Sequence, residues 1–168
     1  DLATDLPRLR AIADLLGPQA LFTLDGNEQY SGIAAFREHW EAWREDDIVR
    51  AFLDAGLLLV EQPAHRDETF GGGVADDLAA WPDRPSFIID EADGSLDSLP
   101  TAMSLGYDGS SHKNCKGIVK GITNAATLAK LSSGELDFGD QPELDADATG
   151  SVSLKSKTTQ DTDDADND

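Results

Sequence analysis

Cysteine is nearly absent from this 168-residue chain: Cys115 stands alone, so no disulfide framework can form within it. A reducing, cytoplasmic setting is the simpler expectation. Basic residues are scarce as well. Thirteen Lys and Arg face 33 Asp and Glu, a formal net charge of −20, and so negative a surface repels nucleic acid and anionic membranes. Neither is expected as a partner. No apolar run reaches membrane-spanning length and no signal-peptide pattern opens the chain. An initiator methionine is missing too, which points to a fragment or a processed product. The balance leaves cation binding or adaptation to high salt open.

The acids are unevenly spread. Residues 134–168 hold eleven of the 33 acids, only two lysines (Lys155, Lys157), and almost no large apolar side chain after Leu144. Such a segment buries too little apolar surface to offset its ordering entropy, so disorder is expected there. Residues 1–133 carry nearly all the aromatics and form the expected folded domain.

Within that domain helical and extended patterns alternate. Leu6, Leu9, Ile12, Leu15 and Leu16 recur at helical intervals until Gly17-Pro18, and a strand is expected over 20–24. Ser31 offers a cap for a helix over 32–44 whose apolar stripe is Ile33, Phe36, Trp40 and Trp43. Further helices are expected over 47–54, 74–81, 96–105 and 117–131. Strands are expected over 57–60 and 86–89, with an extended piece at 109–113. Strands alternating with helices imply an α/β fold on a parallel sheet, open or closed into a barrel.

Each apolar strand stops on an acid. "LFTLDGN" ends on Asp25, "LLLVEQP" on Glu61, and "SFIIDEADG" on Asp90 and Glu91. Asp25 and Asp90 also suit turns, whereas Glu61 before Gln62-Pro63 has no evident turn purpose. In a parallel sheet all strand carboxyl ends lie at one edge, where such folds build their sites. Three carboxylates gathered there would repel one another unless a cation sat between them, and oxygen-only ligands suit a hard ion such as Mg²⁺. "SSHKNCKG" brings Lys113 and Lys116 to the same edge.

Asp-x-Asn, Val-Glu-Gln-Pro, Asp-Glu and Lys-x-x-Lys-Gly, in this order over roughly residues 20–130, resemble the enolase superfamily in its mandelate racemase and muconate lactonizing enzyme branch. The resemblance implies that Asp25, Glu61 and Asp90 bind Mg²⁺, which stabilises an enediolate formed by removing a proton next to a carboxylate of a small-molecule substrate. It implies a general acid/base role for Lys113, with Asn27, Glu91 and Lys116 in support. Racemisation, dehydration and cycloisomerisation all share this step. A lysine acts as the base only if its pKa falls from ~10.4 towards neutrality.

The resemblance also shows what this chain does not contain. The family's capping domain and its first two barrel strands, with a Lys-x-Lys pair, would precede these motifs, and two more strands would follow. The expected fold is therefore a partial (β/α) TIM barrel, strands three to six with their helices, since a whole one needs ~250 residues. Its two open sheet edges would favour association, as in a homo-oligomer. The alternative to an enzyme is a catalytically silent fragment acting as a cation-binding or interaction domain. Among the remaining candidates, His112 reads as a hydrogen-bonding neighbour, His39 as structural, His65 as a loop residue and Cys115 as a buried thiol. Glycines 71–73 lack nucleotide-loop spacing.

Overall fold

The computed structural model describes residues 2–133, 144–146 and 152–154. Helix α1 (Leu2–Leu16) leads to β1 (Phe22–Asp25), then α2 (Ile33–Arg44), α3 (Asp47–Gly56) and β2 (Leu57–Glu61). After these come α4 (Val74–Ala79), β3 (Phe87–Ile89), α5 (Ser98–Leu105), β4 (Gly109–Ser110) and α6 (Ile118–Ser132). The expected alternation is present, with boundaries shifted by a few residues. One expected detail fails: α2 starts at Ile33, so Gly32 holds the cap position and Ser31 lies before it. Asp46 does cap α3, its Oδ1 accepting from Ile48 N at 3.0 Å and Val49 N at 3.1 Å.

The four strands form one parallel sheet in the order β1-β2-β3-β4. Each crossover therefore steps to the next strand in the same direction, and right-handed crossovers of that kind lay their helices on one face. That face holds the core. Phe36 of α2 meets Phe87 of β3 edge-to-face at 5.5 Å between ring centres, and Trp81 lies 5.8 Å from Phe87. Trp40, Trp43 and Trp81 are all buried in this cluster, as their helical spacing predicts for the first two. Burial of aromatic and branched side chains is the main stabilising contribution.

The amino ends of the strands are tied by a buried ion pair. Arg84, before β3, donates from Nη1 and Nη2 to Asp108, before β4, at 2.5 and 3.0 Å, and Phe87 N donates to the same carboxylate at 2.6 Å. At the carboxyl ends, the loop after β1 runs on alongside the loop after β2. Gly26 N donates to Glu61 O, Glu28 N to Gln62 O and Tyr30 N to Pro63 O. A Cβ on Gly26 would stand 2.5 Å from Pro63 Cα, so only glycine permits this approach. Arg66 grips Glu28 through Nε at 2.7 Å and Nη2 at 2.5 Å, and this pairing holds the Glu28 carboxyl down at about 2.

Most of the acidic segment expected to be disordered lies outside the described residues. Within it, β5 (Leu144–Ala146) and β6 (Val152–Leu154) pair antiparallel. No helix among the described residues is long and apolar enough to cross a membrane.

Candidate functional site

The parallel register brings the strand-end acids to one edge. Asp25 pairs with Glu61 as the last residues of β1 and β2, and Asp90 follows β3 directly. Lys113, three residues beyond β4, reaches back to them: its Nζ is 3.5 Å from Glu61 Oε1 and binds Asp90 Oδ2. The Nζ of Lys116 binds Asp90 Oδ1 and the Asp90 main-chain oxygen. Ser111 Oγ donates to Asp90 Oδ1 at 3.1 Å. Asp25, Glu61, Asp90, Lys113 and Lys116 therefore stand at one edge.

Their charges are not balanced evenly. Burial would raise the Asp90 carboxyl, but the two lysines and the Ser111 hydroxyl overcome it and hold the group at about 2. Glu61 is raised above the ordinary glutamate value, first by burial and then by the negative charges of Asp90 and Asp25, against the opposing pull of Ser111 and Lys113. Lys113 is raised, chiefly by its hydrogen bond to Asp90. A base needs the opposite shift, so Lys113 as it stands is a held ammonium. Among the described residues no three of His, Cys, Asp and Glu are gathered tightly enough to hold an ion, and the Asp90 carboxylate is taken up by the two amines.

Asp25 answers to both of its readings at once. It ends β1 at the edge, and its Oδ1 accepts the Asn27 N–H at 2.8 Å, closing a local turn. Asn27 thus contributes through its backbone, with φ 44°. Glu91, next to Asp90, has a buried Oε2 with no partner. His112 is spent on Asn114 Oδ1 at 3.1 Å and its ring fills the space over Gly121. Cys115 corrects an expectation: it is exposed, because it lies in the one-turn 3₁₀ segment Asn114–Lys116 rather than under α6.

Two supports escaped the sequence reading. Gln62, fully buried at φ 36°, accepts at Oε1 from Asp90 N at 2.8 Å and Ala92 N at 3.2 Å. Its Nε2 donates to Ala64 O at 2.7 Å and Thr69 Oγ1 at 2.8 Å, so this side chain fixes the turn that carries Asp90. Asp93, also buried, takes Lys120 Nζ at 3.0 Å, Ser110 Oγ at 3.0 Å and Asn124 Nδ2 at 3.2 Å on Oδ2, while its Oδ1 is unpartnered. The only signal was for Gln62, a polar residue just past an apolar strand.

No protein-family model matches this chain, and neither does any curated protein sequence.

Proposed function

We propose that this edge is the metal-binding arc of an enolase-superfamily (β/α) barrel, which removes a proton next to a carboxylate in a racemase, dehydratase or cycloisomerase reaction. The observation that carries the reading is the delivery of Asp25, Glu61 and Asp90 by three successive parallel strands, with Lys113 from the fourth. The strand order supports the barrel, because four sequential neighbours show no reversal of the kind that marks a doubly wound sheet.

The donors suit Mg²⁺. They are all carboxylate oxygens, and a divalent cation would favour the ionised form of Glu61, which burial first and the charges of Asp90 and Asp25 after it now oppose. Asp25, Glu61 and Asp90 would hold it after drawing closer than they now stand and after Asp90 parts from its two amines. When bound, Mg²⁺ supplies a Lewis acid for charge developing on the substrate carboxylate. The chain's own residues set the remaining conditions. Lys113, at 43% side-chain exposure, is the more accessible of the two amines on Asp90, and Lys116, at 18%, the more confined. Held as an ammonium, Lys113 Nζ donates a proton; it accepts one from carbon only once parted from Asp90.

One observation favours a second reading, a silent cation-binding or interaction domain: two amines of the chain itself already pair with Asp90. Solvent deuterium exchange at the α-carbon of a panel of carboxylates, followed by NMR with saturating Mg²⁺, separates the two. Exchange that is lost in Lys113→Ala while Mg²⁺ binding persists supports the enzyme. Absence of exchange by a chain shown to bind Mg²⁺ supports the silent domain.

A further inference from the structure

A cavity of about 630 Å³ opens between α1, α2 and the end of β1, within the size range of small-molecule sites. Its walls include Leu9, Ile12, Leu24, Tyr30, His39 and Trp43. Leu9, Ile12 and Leu24 are apolar, and Tyr30 and His39 bring polar groups on rings that meet edge-to-face at 5.0 Å. The His39 Nδ1 lies 3.1 Å from Ala35 O, a pure acceptor, so Nδ1 is spent as a donor there and Nε2 is the ring nitrogen left over. Burial, reinforced by Asp5, raises the Tyr30 hydroxyl, which therefore keeps its proton and donates. One wall thus offers a hydroxyl donor and a ring nitrogen side by side.

The charged residues on the lining are Asp5, Arg8 and Asp25, and none of them is buried. An ion pushed inside would lose hydration with no buried counter-charge to meet it, which is unfavourable. We propose that this cavity is a binding site for an uncharged, ring-bearing organic molecule with an amide or hydroxyl group, its ring against Leu9, Ile12 and Leu24 and its polar group on Tyr30 and His39. The site lies on the helix face of the sheet and does not depend on the metal reading. Asp25 is the one residue the two share.

The test is a titration of the ¹⁵N-labelled chain with benzamide, with benzoate and benzylammonium as charged counterparts of the same ring. The reporter is the indole N–H of Trp43, which is buried and unpartnered. Benzamide is expected to shift that resonance saturably and to bind about fivefold more tightly than either charged probe, the ratio set by one additional hydrogen bond. Tyr30→Phe should remove that advantage. Ile12→Phe, which narrows a wall that is already 42% exposed and so leaves the fold intact, should abolish the shift. No saturable shift, equal binding to Ile12→Phe, or tighter binding of a charged probe would each overturn the proposal.

Discussion

The two ends of the sheet handle buried charge differently. At the amino ends one arginine meets one aspartate: Arg84 and Asp108 are 15% and 2% exposed, and both carboxylate oxygens are bonded. At the carboxyl ends Asp25, Glu61, Asp90, Glu91 and Asp93 share the edge with Lys113, Lys116 and Lys120, and oxygens of Glu91 and Asp93 are buried without partners. A closed pair holds strands together. A surplus of carboxylates in one place opposes folding, and its natural complement is a cation from outside. The division matches the general habit of parallel β/α folds, which stabilise at one end and do chemistry at the other.

The largest expected effect lies at the closed end. Asp108→Ala strands a mostly buried guanidinium and the Phe87 N–H, and should cost about 3–5 kcal/mol of stability in urea unfolding. A loss below about 1 kcal/mol would break the comparison. Gln62→Ala comes next. It leaves the Asp90 and Ala92 N–H groups without their acceptor, so a loss of about 2–3 kcal/mol is expected, together with weaker divalent-cation binding because the Asp90 turn is released.

Glu61→Gln should have the opposite sign. A carboxyl raised in the folded state binds its proton more readily there than when unfolded, so its ionisation removes stability as pH climbs from the ordinary glutamate value through the raised one. The Gln variant escapes this. Its stability should equal that of the parent well below pH 4.5 and exceed it near neutrality by a few tenths to about 1 kcal/mol, measured without divalent cations over a pH series. A Gln variant that is less stable at neutral pH would mean that Lys113 makes Glu61 part of a closed pair after all. The smallest effect is expected for exposed Asp25, where Asp25→Asn should change metal-free stability by less than about 0.5 kcal/mol. The amide can still accept the Asn27 N–H.

Much of this layout was legible in the sequence. The alternation of apolar strands with helices gave the parallel α/β sheet, and the strand-end positions of Asp25, Glu61, Asp90 and Lys113 put them on one edge. Period and burial are strong, local signals. Gln62 and Asp93 were missed because their roles depend on groups far along the chain: Gln62 binds the turn at 90–92, and Asp93 meets Lys120 and Asn124. The exposure of Cys115 and the shift of the α2 cap past Ser31 turned on where a helix starts, within a residue or two. The lysine clamp on Asp90 was also hidden, since sequence placed Lys113 at the edge without showing which acid its amine would take.

The most direct test is calorimetric titration of the folded chain with Mg²⁺, beside Glu61→Gln as the control. Saturable binding at one site, abolished in the Gln variant, is the predicted result. No binding by a chain whose fold is verified by circular dichroism, or binding unchanged in Glu61→Gln, would contradict the claim that the surplus of carboxylates at this edge is a cation site.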